Sequence, residues 1–217
     1  MRITPDERVR ALVRDHVIEP AEGERLLATM SPRPPRVGWR LALDPFERFG
    51  GEIAAVAGLA VAALSVAITR LGVRFDGFLD LHMAPEVVPI TTALLEQVVV
   101  WPLPALLFWA YARLLRCRVR FVDFLGVTGL SRAPLALAAV VLGLLAPAPP
   151  AAGGPVLTPA VAAFAVLAAL CLAWFLTLLT RGFKNASGLR GAPLIAGLIG
   201  LVLVAEIVSK VAVARLG

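Results

Sequence analysis

"FVDFLGVTGLSRAPLALAAVVLGLLAP" (Phe121–Pro147) is the stretch whose reading decides the fold. Most of it is oily, yet Asp123, Arg132, Pro134 and two glycines stand in its first half. From Ala133 to Ala146 the chain is too short to cross a bilayer, which takes about 20 helical residues. Starting at Phe121 gives enough length but puts Asp123 and Arg132 at or below the interface. An arginine at the centre of a span costs about 2.5–3.5 kcal/mol on insertion scales; near an end it snorkels to water. Pro134 removes a backbone hydrogen bond and kinks any continuous helix. The expectation is a shallow amphipathic segment, Phe121–Leu130, a break across Gly129–Pro134, and a short descending span. Such a break is tolerated where protein or water satisfies the backbone.

The rest of the chain makes this a membrane question. Hydrophobic residues form 59% of the 217, against about 45–50% in soluble domains, and the mean hydropathy is +0.84. Four further runs are long enough to span: Gly51–Thr69, Val87–Tyr111, Pro159–Thr180 and Ala192–Val213. The fold class expected is all-α, a polytopic bundle of five transmembrane helices over residues 50–217, with a small cytoplasmic helical hairpin at the N-terminus. Net charge is +6. In a soluble protein that balance would suggest nucleic acid; here the arginines flank oily runs, so lipid headgroups explain them and nucleic acid is not expected.

Residues 1–30 read as the hairpin. Thr4, Pro5 and Glu7 suit an N-cap, a first-turn proline and a capping-box acid. Val9, Leu12 and Val13 recur at helical spacing, as do Leu26 and Leu27 after the turn "DHVIEP". Two such short helices are marginal alone, so these five residues are the candidate core or partner-binding surface. Residues 31–49 form a basic, proline-rich linker and an interfacial segment; the linker prolines favour extended geometry. "MRITPDERVRALVRD" has no apolar core of a signal peptide, so the first span is expected to be an uncleaved anchor.

Charge orients the spans. Counting Arg132 with the loop before it, 17 basic residues fall on the N-terminal side of the bundle and four (Arg70, Arg74, Lys210, Arg215) on the other. The positive-inside rule then puts the N-terminus in the cytoplasm and the C-terminus outside. A bacterial inner membrane is the expected location.

Few residues offer chemistry. Glu96, next to Gln97, lies within the second span, and an intramembrane carboxylate is a functional-site hypothesis by default. The alternatives are a position near the outer end of a tilted helix, or a neutral carboxyl bonded between helices. Glu206 and Lys210 are four apart and share a helix face, which suits an interfacial ion pair. Arg132 and Pro134 mark the break in the third span. His82, with Asp76, Asp80 and Glu86 nearby, reads as a solvated loop; one histidine with scattered carboxylates lacks a metal-ligand spacing. Cys117 and Cys171 fall at different depths, so no internal disulfide is expected. H-E-x-x-H, G-x-S-x-G and P-loop patterns do not occur. No catalytic, metal or cofactor-binding residue is therefore assigned, and the chain is not expected to be an enzyme. The small-residue faces "GGEIAAVAGLAVAA" and "GAPLIAGLIG" suit close helix packing within the bundle, with homo-oligomerisation as the alternative.

The layout resembles the Yip family (Ypt/Rab-interacting membrane proteins) in its bacterial branch. The resemblance rests on "DPFERF" (Asp44–Phe49) before the first span, "GLSRAP" (Gly129–Pro134) at the break, and "LTRGFKNASGLRGAPLIAG" between the last two spans. "ERVRALVRDHVIEPAEGERLLATM" is similar to the short bihelical, SHOCT-like modules before many bacterial membrane domains. The first resemblance implies a five-span bundle and, from eukaryotic relatives, roles in vesicle traffic and binding of prenylated GTPases; the second implies protein contacts. The expected function is thus a membrane scaffold or adaptor that meets a protein partner through its head. The alternative is a small transporter or channel using Glu96 and Glu206.

Overall fold

In the computed structural model, residues 5–30, 38–84, 88–145 and 158–216 are described. Thr4, the linker 31–37, Glu86 and the uncharged connector between the third and fourth spans lie outside them. The chain divides into two compact units, Met1–Val37 and Gly38–Gly217.

The first unit is a helical hairpin, α1 (Pro5–Arg14) and α2 (Pro20–Met30). The two helices pack on each other. Val9 is buried, Val13 and Leu27 are half-buried, and Leu12 and Leu26 stay exposed at 39% each.

The second unit holds five helices long and apolar enough to cross a membrane. A short α3 (Trp39–Leu43) and a 3-10 turn (Pro45–Glu47) lead into span 1, whose helix α4 runs Gly51–Ile68. Span 2 is two helices, α5 (Ile90–Val100) and α6 (Pro102–Leu114). Span 3 is also two, α7 (Phe121–Ser131) and α8 (Ala133–Leu145). Spans 4 and 5 are α9 (Pro159–Ser187) and α10 (Ala192–Leu216). Leu59, Val98, Leu170, Ile199 and Ile207 are each more than half exposed on these helices, a burden of apolar surface that suits lipid and not water. The chain is an integral, multi-pass, all-α membrane protein.

Span 3 overturns the expected shallow segment. It is the most enclosed of the five, with α7 packed against α4, α6 and α9. The close approach of α4 and α7 rests on Gly58 and Gly129: a Cβ at Gly58 would lie 2.9 Å from the Gly129 Cα. Between helices in lipid there is no hydrophobic driving force, so contact of this kind, with interhelical hydrogen bonds, supplies the cohesion. Phenylalanines fill the rest of the core. Phe108 meets Phe183 edge to face at 4.9 Å, and Phe78 meets Phe175 at 5.4 Å.

The connector between spans 1 and 2 folds back into the bundle. Gly72, at φ +78°, turns the chain into a two-residue strand β1 (Val73–Arg74), which pairs antiparallel with β2 (His82–Met83). Val73, Phe75 and Phe78 from this connector are almost completely buried.

Candidate functional site

Glu96, Gln97, Ser131, Arg132 and Ser209 are buried polar side chains on spans 2, 3 and 5, which meet at the infolded connector. Both broken spans contribute their break points. In span 2, Pro104 has no N–H to offer the Val100 carbonyl four residues earlier. Arg132, at the break of span 3, donates its Nη1 to that carbonyl at 2.9 Å. Its guanidinium also lies 5.9 Å from the centre of the Phe75 ring. Pro134 sits in the first turn of α8, where a missing N–H costs nothing.

Arg132 is therefore only 3% exposed, about midway along span 3, and not near an end as expected. The physical reason is the freed carbonyl: the partner that makes this depth tolerable lies 32 residues away and is created by another proline. The break of span 2 is tied to span 3 a second time by the Trp101 indole, which donates to the Leu125 carbonyl, within α7, at 2.8 Å.

Glu96 is 1% exposed and one turn above Val100. Arg74 from β1 donates to its Oε1 at 2.5 Å, and the Phe75 N–H bonds the same carboxylate. Span 5 grips the connector further along. The Phe78 N–H donates to Ser209 Oγ at 3.0 Å and the Leu79 N–H to Glu206 Oε2 at 2.7 Å. Lys210 lies 3.6 Å from Glu206, as their i,i+4 spacing suggests, but sits closer to Asp80, at 2.6 Å. Glu206 and Glu96 thus hold one connector at two points along its length. Neither is a carboxylate facing lipid.

The compensation is incomplete. Among the described residues, the enclosed side-chain atoms without a hydrogen-bond partner are Glu96 Oε2, Gln97 Oε1 and Nε2, Ser131 Oγ and Asp76 Oδ1. All belong to this region. Buried polar atoms of native proteins are nearly always bonded, and an exception marks a water, an ion or a working site. An amide such as Gln97 with neither end engaged is costly in a bilayer interior.

Also within the connector, ligand atoms of the half-buried Asp76 and Asp80 and of His82 lie within 4.8 Å of one another, a convergence that their sequence spacing did not suggest. His82 Nδ1 is 3.6 Å from Asp76 Oδ1. The Lys210 ammonium already engages Asp80, so a cation entering there would have to displace it. Arg74 is the member of the site that sequence reading missed: it is 22 residues from Glu96 and follows no helical spacing.

The head residues Val9, Leu12, Val13, Leu26 and Leu27 belong to the other unit. Cys117 and Cys171 are both free thiols. No family model matches the chain, and no curated protein or solved structure matches it either.

Proposed function

We propose that the chain is a small gated transporter for an ion or small polar solute, captured closed, with its path between spans 2, 3 and 5. The observation that carries this reading is the set of enclosed, unpartnered atoms of Glu96, Gln97 and Ser131 beside the mid-span Arg132. Ionisable groups kept inside a membrane face a bundle interior and mark pathways. Discontinuous spans are tolerated where they line a cavity, and transporters place their sites at such breaks. The connector 72–84 acts as the gate, held near its start by Arg74–Glu96 and further along by Glu206, Ser209 and Lys210. The N-terminus faces the cytoplasm: with Arg132 removed from the tally as a mid-span residue, the basic residues divide 16 to four.

The test is flux in proteoliposomes loaded with a pH-reporting dye, under imposed proton and alkali-cation gradients. Flux above protein-free vesicles, lost in Glu96→Gln, supports the reading. No flux from a folded, correctly inserted protein under any of these gradients overturns it.

The second reading is a non-enzymatic, Yip-like scaffold of a bacterial inner membrane. It is favoured by the head, a self-packed hairpin that leaves Leu12 and Leu26 exposed. Crosslinked recovery of a specific partner from native membranes, abolished by deleting residues 1–37 and untouched by Glu96→Gln, would select it.

A further inference from the structure

The connector between spans 1 and 2 brings together one imidazole and two carboxylates. We propose that Asp76, Asp80 and His82 bind a zinc ion, which competes with the Lys210 ammonium for Asp80. The site does not depend on the transport reading.

Two separate observations point to a cation. The first is spacing. One ligand atom from each residue lies within 4.8 Å of the other two. His82 Nδ1 and Asp76 Oδ1 are 3.6 Å apart, too far for a hydrogen bond. Two ligands of one zinc, each about 2.0–2.2 Å from it, stand about 3.4 Å apart at the tetrahedral angle. The second observation is a missing donor. Asp76 Oδ1 is enclosed, and among the described residues nothing donates a hydrogen bond to it. Enclosed carboxylate oxygens are nearly always bonded, and an exception calls for a water or an ion. The bare oxygen is the one that faces the imidazole.

The fold holds these ligands in place without a metal. His82 pairs with Arg74 across the β1–β2 ladder. The Phe78 and Leu79 amides, between the two aspartates, are tied to Ser209 and Glu206 of span 5. Phe75 and Phe78 anchor the backbone on either side of Asp76 by burial. A site held on such supports loses little freedom when the ion arrives. Entry is open as well: the side chains of Asp76, Asp80 and His82 keep 29%, 33% and 44% of their exposure, so an ion reaches them from water without parting the helices.

The donor set selects the ion. Calcium takes six to eight oxygens, and magnesium keeps most of its waters around one or two carboxylates. An imidazole nitrogen favours zinc and its first-row neighbours. Three protein ligands and a water complete a four-coordinate zinc. The competitor is identified too. Lys210 engages Asp80 Oδ2 at 2.6 Å, whereas it acts on Asp76 through charge alone. The ammonium therefore opposes zinc at one ligand and leaves the Asp76–His82 pair open to it.

The full chain, purified in a mild detergent and stripped with a chelator, is titrated with zinc against a chromophoric zinc indicator. A single equivalent should bind, and an excess of magnesium or calcium should not displace it. His82→Ala and Asp76→Asn should each weaken binding at least about tenfold, since even the loss of a residue behind a ligand costs that much. His16→Ala removes the other histidine of the chain and should change nothing. Lys210→Met removes the competing cation and should tighten binding about fivefold, the upper end for a partly exposed ion pair. Affinities are compared among variants whose metal-free unfolding midpoint matches the wild type; a gain in Lys210→Met cannot arise from misfolding. Absence of zinc binding, wild-type affinity in His82→Ala, an equal loss in His16→Ala, or no tightening in a folded Lys210→Met overturns the proposal. Displacement by magnesium or calcium overturns the assignment to zinc.

Discussion

Arg74 and Glu96 show what a single contact contributes here. Glu96 is almost fully enclosed, whereas the Arg74 side chain keeps a third of its exposure. Removing the arginine strands a carboxylate in a membrane core. Removing both charges does not. Arg74→Ala should therefore destabilise the protein by about 3 kcal/mol, and the double variant Arg74→Ala/Glu96→Gln should recover most of that loss. Unfolding in mixed micelles, followed by circular dichroism, measures both; additive losses would mean that the pair is not coupled. Arg132 differs in kind, because its hydrogen bond goes to a backbone carbonyl and the Glu206 carboxylate acts on it only through charge, without a hydrogen bond. Arg132→Leu leaves that acceptor bare, at a cost of about 1–3 kcal/mol for an unmet buried group, offset in part by the relief of a buried charge. The measured loss should thus be smaller than for Arg74→Ala, although Arg132 is the more deeply buried residue.

The elements of this bundle cohere through close approach. The α4–α7 contact is backbone against backbone at Gly58 and Gly129, with no flexible side chain to give way. Gly58→Ala should lower the unfolding midpoint despite the better helix propensity of alanine. Gly200→Ala in α10, where an added Cβ meets nothing within 4 Å, is the matching control. It should be neutral or stabilise by about 0.5–1 kcal/mol. Equal effects at the two positions would show that helix propensity, and not packing, governs both. The broken spans were only half visible in the sequence. Pro134 announced a break, and its neighbour Arg132 advertised an expensive charge. Their depth could not be read, because the carbonyl that accepts Arg132 is exposed by Pro104 on another helix. Apolar composition places most span ends to within about three residues, although α9 runs seven residues past the expected Thr180 to Ser187, while compensation between spans exists only after folding. The same limit hid the connector. Its charged residues read as a solvated loop, and only the fold turns Phe75 and Phe78 inward and brings Arg74 to Glu96.

At the scale of the molecule, the proposed orientation requires all five apolar helices to cross, which puts the two ends of the chain in different compartments. Reporter fusions at residue 1 and residue 217 should give opposite responses; matching responses would require an even number of crossings. The division into two compact units has its own consequence. A protein of residues 38–217 should insert and unfold at the midpoint of the full chain, since the membrane unit has its own core. A large drop would mean that the head stabilises it. Deleting the head also separates the two functional readings, because flux should persist and partner recovery should not.

The infolded connector carries one more implication. The amides of Phe78 and Leu79 sit outside any helix, yet each is donated to a side chain of span 5, Ser209 and Glu206 respectively. In deuterated buffer these two positions should trade their hydrogens as slowly as helix interiors, and Ser209→Ala should release the first while sparing the second. A gate that opens often would betray itself as a pair of fast-labelling amides in a segment whose geometry says they should be slow.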